Sequence, residues 1–362
     1  MIFIKGLILA GGHGTRLRPL THTISKQLIP IANKPMLFYC IEALVDAGIK
    51  DIGVIVGHTP QRIQEIKDTV GDGSKWGANI TYIEQDIPKG IAHAIGLAEN
   101  FVGNEPFVTV LGDNLLKDGI KEYIEGFEKS NSDFEILLAK HNDPSRFGVA
   151  IFNKDKLVGL VEKPKNPPSR WVITGVYMLR PPVFEVIKKL KPSWRNELEI
   201  TEAADIMVKS KKYKVTSKKV NGWWKDTGKP EDILEVNHLV LDDLEPYNKG
   251  SIDENATIIG KVAIGEGSVI GGGCVIRGPV IIGKNCDIGP DTYIGPYTSI
   301  GNNTIIKNAE IESSIIIGEC KIDCNKRIID SLIGENVTIT SAEGTKPKAC
   351  KLVLGENSFI SI

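Results

Sequence analysis

Up to about residue 245, short apolar runs alternate with stretches in which apolar residues recur at helical spacing. The pattern predicts strands over 4–10, 52–56, 79–84, 107–111, 134–140, 149–153 and 172–179, with helices over 35–47, 61–69 and 91–100 between the earlier ones. Such alternation predicts an α/β fold, a Rossmann-like, mostly parallel sheet with helices on both faces. Ligands of these sheets sit beyond the carboxyl ends of the strands. Two places qualify at once: the loop that follows Ala10, and the Gly112-Asp113 step that follows Leu111.

After Lys249 the period changes to six. Ile264, Ile270, Ile276, Ile282, Ile288, Ile294, Ile300 and Ile306 are evenly spaced, and glycine follows each except at Arg277 and Lys307. Neither a helix nor a hairpin makes that spacing, whereas a parallel β-helix does, each coil stacking on the last with the repeated isoleucine inside. Ser268, Cys274, Val280, Cys286, Thr292, Thr298 and Thr304 form a second row of small residues that also faces inward on this reading. The register slips after Ile306 and resumes loosely at Ile317-Gly318, Ile333-Gly334 and Leu354-Gly355, which predicts irregular coils and a capping end. The domains are therefore expected at 1–245 and 246–362.

Composition supports this division, because all five tryptophans and nine of the ten phenylalanines precede residue 225. A net charge of −1 leaves no global field for nucleic acid or an acidic membrane, so any phosphate binding has to be local. No run of about 18 apolar residues suggests a membrane span, and the N-terminus lacks the charged region of a signal peptide. A cytoplasmic location is expected. The six cysteines, Cys40, Cys274, Cys286, Cys320, Cys324 and Cys350, form no Cys-x-x-Cys pair and indicate neither a disulfide framework nor a zinc site.

Candidate chemistry gathers at the strand ends. After the apolar run from Ile2 to Ile8 comes Leu9-Ala-Gly11-Gly12-His-Gly14-Thr15-Arg16-Leu-Arg-Pro19, a glycine-rich loop tipped with arginine and followed by Lys26. Glycines let the backbone approach an anion, and Arg16 and Lys26 answer its charge. The Gly-Lys-Ser/Thr ending of a Walker loop is missing, and the third glycine of a dinucleotide fingerprint falls on Leu17. A plain strand-to-helix turn would also favour glycines, but Thr15, Arg16, Pro19 and Lys26 weigh against it. Asp113 and Asp226 are the carboxylates suited to magnesium, each also able simply to cap a turn beside glycine. Glu162-Lys163-Pro164 presents an acceptor and a cation at one point, as a sugar phosphate requires or as a surface ion pair would. Arg195 is a second phosphate candidate, and the Gln85 amide is suited to pair with a base edge.

In order along the chain, these segments, together with Asn33-Lys34-Pro35-Met36, Phe147-Gly148-Val149, Thr174-Gly175-Val176-Tyr177 and Glu197-Leu198-Glu199-Ile200-Thr201, resemble the sugar-1-phosphate nucleotidylyltransferases. The resemblance is closest to the glucose-1-phosphate thymidylyltransferases of the long form, whose C-terminal domain is a hexapeptide-repeat left-handed β-helix. It implies transfer of a nucleotidyl group from dTTP, or alternatively UTP, to a sugar 1-phosphate with Mg2+, in line and without a covalent enzyme intermediate. It implies that Leu9, Gly11, Gly12, Gly14, Thr15, Arg16, Gln85, Gly90 and Asp113 hold the nucleotide, with Arg16 on the leaving pyrophosphate. Gly148, Glu162, Lys163, Thr174 and Arg195 would hold the sugar phosphate, Lys26 a phosphate, and Asp113 and Asp226 the metal. It also implies a homo-oligomer, trimer or tetramer. Related β-helices transfer acetyl groups, but all six histidines (His13, His22, His58, His93, His141, His238) precede the repeats, leaving no evident base for that step.

Overall fold

The computed structural model describes residues 3–57 and 59–341, so Ile2, His58, Cys350 and the Leu354-Gly355 step lie outside the described residues. The chain forms two compact units, one made of Met1–His13, Ser25–Leu28 and Met36–Asp226, the other of Gly14–Ile24, Ile29–Pro35 and Thr227–Ile362.

Eleven strands build the first unit: β1 (Lys5–Ala10), β2 (Asp51–Val56), β3 (Asn79–Glu84), β4 (Phe107–Leu111), β5 (Asn114–Leu116), β6 (Phe134–Lys140), β7 (Gly148–Asn153), β8 (Lys156–Glu162), β9 (Trp171–Leu179), β10 (Val215–Lys219) and β11 (Trp224–Asp226). Nine of them form one sheet in the order β8-β7-β9-β4-β1-β2-β3, with β6 joined to β9 and β10. β1 pairs in parallel with both β2 and β4, and β2 with β3, which brings the carboxyl ends of these four strands to one edge. β9 runs antiparallel to β4 and β6, and β7 to β8, so the parallel half is extended by an antiparallel one.

Helices α1 (Met36–Asp46), α2 (Pro60–Val70), α3 (Ile91–Leu97), α4 (Lys121–Ser130), α5 (Pro182–Ile187) and α6 (Ile200–Lys209) accompany the sheet. Leu7, Ile55, Phe107, Phe134, Ile136 and Tyr177 meet Ala203 and Met207 in its principal core, where Phe107 stacks on Phe184 with centroids 5.5 Å apart. Fully burying a side chain of this size stabilises by about 1.5–3 kcal/mol. The central strands are continuous apolar runs because both faces are covered.

The second unit is a left-handed parallel β-helix of three sheets. Pairings such as Ile270 with Ile288 and Ile288 with Ile306 stack the predicted isoleucines, all of them buried. The second row is also inside, from Ser268 through Thr304. Beyond Ile306 the coils stay in register but lose one or two residues, pairing Ile294 with Ile311 and Ile306 with Ile322. The inward residue is therefore Ile316 rather than Ile317, and the coils continue through Thr340. Corner residues record the change, since left-handed backbone recurs at Asn285, Asp291, Tyr297 and Asn303 and then, one residue sooner, at Asn308 and Ser313.

Helix α7 (Pro230–Asp242) belongs to this unit, which is why the boundary falls at 226/227 and not at the composition change at 245/246. The fully buried Asn237 ties the helix down, its Oδ1 accepting from Ala32 N and Ser299 Oγ at 2.8 Å and its Nδ2 donating to Tyr297 O at 3.1 Å. The next residue, His238, stacks on the Tyr297 ring and its Nε2 lies 2.8 Å from Ser313 Oγ.

Candidate active site

The carboxyl ends of β1, β2, β3 and β4 carry the residues singled out for nucleotide chemistry. Leu9 is buried near the end of β1, its carbonyl accepting from Gly112 N at 3.0 Å, and so fastens the first loop to the Asp113 step. Beyond it, Gly11 and Gly12 line a cleft with Gln27, Gly57, Arg62 and Ile66. A methyl group on Gly11 would stand 2.6 Å from Gln85 Oε1, so only glycine lets that carbonyl oxygen approach the loop. Gly14, Thr15 and Arg16 fall in the second unit, where Gly14 O accepts from Leu17 N at 2.9 Å and from Thr21 Oγ1 at 2.7 Å. The short 3-10 turn from Thr15 to Leu17 leaves the Thr15 and Arg16 side chains exposed.

Asp113 follows β4, and each of its carboxylate oxygens accepts a hydrogen bond from a neighbouring side chain. Lys26, itself buried, donates to Asp113 Oδ2, and Asn114 Nδ2 donates to Oδ1 at 2.8 Å. Trp224 Nε1 donates in turn to Asn114 Oδ1 at 2.7 Å, locking the amide between indole and carboxylate. Burial alone would raise the pKa of the Asp113 carboxyl, but the Lys26 ammonium and the hydrogen bonds from Lys26 and Asn114 outweigh it and hold the group below the ordinary carboxylate range. Asp226 pairs with Asn114 across the β5–β11 ladder, so Asp226 stands opposite the residue that follows Asp113.

Among the described residues no group of three or more His, Cys, Asp or Glu is placed to hold a metal ion. Two adjacent carboxylates suit a hard divalent ion that keeps water and substrate phosphate in its remaining positions.

The sugar-phosphate candidates gather at the end of β8. Glu162 stands opposite Gly148 in the β7–β8 ladder, and its Oε2 accepts from Thr201 Oγ1 at 2.5 Å. Its Oε1 lies 3.5 Å from Lys163 Nζ and 3.7 Å from Arg195 Nη1. Lys163 adopts a φ of 42°, an uncommon conformation for a side-chain-bearing residue and one that concentrates at functional sites. Arg195 is held by Glu197 at 2.8 Å and Glu199 at 3.2 Å, so two cations and three carboxylates share this corner. Thr174 lies apart from them in character: it is buried in β9, with its hydroxyl donating to Leu137 O at 3.1 Å beside an irregularity of the β9–β6 pairing.

Gly90 opens α3 with a φ of 102°. Its loop is laced to the arginine-bearing segment, for Leu198 N donates to Lys89 O at 2.7 Å and Leu198 O accepts from Ala92 N at 3.1 Å. Gln85 is buried, its Nε2 3.0 Å from His93 Nδ1. Burial and the neighbouring Lys89 push the His93 pKa below its ordinary value, against the pull of Asp86.

Sequence reasoning missed three members of the site. Gln27, one residue from Lys26, places in the cleft wall a buried Oε1 that has no hydrogen-bond partner among the described residues. Asn114 and Glu199 were present in quoted motifs, but their work depends on partners across the fold. Of the three, only Glu199 carried a local signal, a charge between the apolar Leu198 and Ile200.

A nucleotidyl transferase family model matches residues 5–243, and a GMPPB C-terminal domain model matches residues 276–360. The chain is 47% identical over 360 residues, 99% of its length and 100% of the relative's, to the low-salt glycan biosynthesis nucleotidyltransferase Agl11 of Haloferax volcanii. It is 45% identical over 361 residues, 99% of each chain, to a glucose-1-phosphate thymidylyltransferase of Streptomyces antibioticus. Among solved structures, a Bacillus anthracis chain described as a glucose-1-phosphate thymidylyltransferase, in complex with a sucrose, superposes with a TM-score of 0.62 at 38% identity, covering 68% of this chain and 98% of that one.

Proposed function

The chain belongs to the nucleotidyl transferase family, whose members generally use a divalent metal, and from that premise we propose that it makes dTDP-glucose and pyrophosphate from dTTP and glucose 1-phosphate with Mg2+. The observation that carries the reading is the register that sets Asp226 opposite Asn114, the residue after Asp113, at a strand end, with Lys26 on the Asp113 carboxylate and Glu162, Lys163 and Arg195 gathered at the end of β8.

An oxygen of the sugar phosphate forms the new bond to the α-phosphorus while the bond from that phosphorus to the bridging oxygen of the β-phosphate breaks, and pyrophosphate departs. The nucleophile is already an anion, so no general base is needed. Asp113 and Asp226 would hold the Mg2+, which would supply charge neutralisation at the phosphates when bound. The protein's own part is positioning and charge. Leu9, Gly11 and Gly12 give the triphosphate backbone to lie against, Gln85 and Gly90 take the base, and Arg16 meets the leaving pyrophosphate. Lys163 and Arg195 hold the phosphate of the sugar, and Glu162 accepts from its hydroxyls. The buried Gln27 Oε1 supports a further acceptor for the nucleotide.

In the β-helix no described histidine is available as a base, and an architectural role as the contact surface of a trimer or tetramer fits its exposed Ile259, Val269 and Ile329. Among the described residues no helix is long and apolar enough to cross a membrane, and Cys40, Cys274, Cys286, Cys320 and Cys324 are buried free thiols, which supports a cytoplasmic enzyme.

The deciding experiment incubates the protein with Mg2+, each of the five common nucleoside triphosphates and a panel of sugar 1-phosphates, and follows pyrophosphate. Turnover is expected with dTTP and glucose 1-phosphate. Preference for UTP would move the enzyme to the uridylyltransferases, and silence with every pair would remove the reading.

A further inference from the structure

A glutamine side chain is ambiguous as a reader of bases, because its two ends are nearly the same size and present opposite hydrogen-bonding character. In this protein a neighbour stands at each end of it. The Gln85 amide nitrogen lies 3.0 Å from His93 Nδ1, and because it has protons to give and no lone pair to accept with, this arrangement belongs to the tautomer that carries the ring proton on Nε2. At the opposite end, Gln85 Oε1 stands against the Gly11 backbone, in space that any side chain at position 11 would take. Reversing the amide would call for the other tautomer, with the ring proton on Nδ1.

We propose that His93 is a positioning residue that fixes the order of acceptor and donor on Gln85, and so restricts the nucleotide site to bases carrying an imide N–H beside a carbonyl. The inference rests on the assignment of Gln85 to the base made above. Thymine and uracil offer N3–H next to a carbonyl oxygen, which matches an Oε1 acceptor followed by the remaining Nε2 proton. Cytosine offers the reverse, a bare N3 beside an amino group, and adenine likewise. A reversed amide would serve those two, and a His93 kept in its Nε2–H tautomer disfavours it. Thymine is not separated from uracil by this device, since the two share the same edge. The weakened basicity of His93, from burial and from Lys89, keeps Nδ1 available as an acceptor.

The test compares wild type, His93→Ala and His93→Asn, the last retaining a carbonyl acceptor near the position of Nδ1. For each, kcat and KM are measured with dTTP, UTP and dCTP at saturating glucose 1-phosphate, and binding of the same nucleotides is measured by calorimetry. His93→Ala is expected to lower the dTTP-to-dCTP ratio of kcat/KM about a hundredfold, through KM with little change in kcat, and His93→Asn to restore most of it. The UTP-to-dTTP ratio is expected to stay put in all three.

An unchanged dTTP-to-dCTP ratio in a folded His93→Ala protein, or a wild type that does not favour dTTP over dCTP, overturns the proposal. So does equal loss with all three nucleotides, the mark of a merely structural histidine. If no pair of substrates is turned over at all, the proposed activity fails, and calorimetry still decides whether His93 governs the choice of base.

Discussion

Both units of this chain bury polar side chains, and they use them in opposite ways. In the β-helix most buried hydroxyls and thiols are absorbed by backbone close at hand: Ser268 donates to Gly283 O at 2.7 Å, Cys274 to Gly289 O at 2.7 Å, and Thr304 to Asn302 O at 3.3 Å. In the α/β unit polar side chains bond one another, Lys26 to Asp113 and Asn114 to Trp224 across long stretches of sequence and Gln85 to His93 across a single loop, and Gln27 Oε1 is left with no partner among the described residues. A repeat solves its burial problem once per corner, whereas an active site leaves polar capacity aimed at a strand end. The contrast explains why one unit reads as scaffold and the other as chemistry.

The sharpest way to break this comparison is at the carboxylates. Asp113→Asn and Asp226→Asn are each expected to lower kcat by about a thousandfold or more, the scale of losing one preorganised charge, with little change in melting temperature for Asp226→Asn and a lower one for Asp113→Asn, which removes the carboxylate that the buried Lys26 faces. Pyrophosphate release and a thermal melt check both halves, and activity retained in either variant removes that residue from the metal site. Next in size, Ile288→Ala hollows a fully buried position of the β-helix and is expected to cost about 2–5 kcal/mol of stability, with kcat per folded molecule unchanged. Denaturant titration beside the activity assay separates the two effects, and a fall in kcat would show that the scaffold reading of the repeats is incomplete.

A smaller effect is expected from Gly11→Ala. Its methyl group would displace Gln85 Oε1, so the KM for dTTP is predicted to rise about tenfold, near the cost of one misplaced hydrogen bond. Steady-state kinetics with the sugar phosphate saturating reads this out, and an unaltered KM argues that the base does not rest on Gln85.

The smallest effect belongs to His238. Burial lowers its pKa from the ordinary 6.5, more than Asp330, Asp242 and Glu235 raise it, so the folded chain binds fewer protons than the unfolded chain as pH falls past that value. Its contribution to stability is therefore complete above the ordinary value and drains away as pH drops toward the folded one. His238→Gln is expected to flatten the dependence of melting temperature on pH between about 5 and 7. A slope identical to wild type would exclude the ring as its source.

Much of this architecture is legible in the chain. The predicted strands at 79–84, 107–111 and 134–140 coincide with β3, β4 and β6: β4 and β6 are short, mostly apolar runs because both their faces are covered, whereas β3, at the sheet edge, alternates apolar and polar residues. Ile264 to Ile306 announce a repeat for the same kind of reason, one residue type per coil facing one interior. What stayed hidden depends on closure in three dimensions. Lys26 and Asp113 are separated by 87 positions and Asn114 and Trp224 by 110, and no local pattern marks either pair. Thr174 shows the converse, a residue in a quoted motif whose hydroxyl is occupied by Leu137 O in the sheet interior. The inward residue after Ile311 was misread as Ile317 because periodicity presumes coils of constant length, and these coils shorten.

The two hydrogen bonds that Leu198 makes, to Lys89 and Ala92, join the loop offered to the base with the segment that carries Arg195 and Glu199. A displacement imposed on either loop must be shared by the other or break a rung between them. Whatever free energy the first substrate spends in settling its own side is then credited or charged to the second, by the same amount whichever enters first. If the two loops serve the two substrates as proposed, the coupling between them runs through one short ladder, three residues away from Arg195.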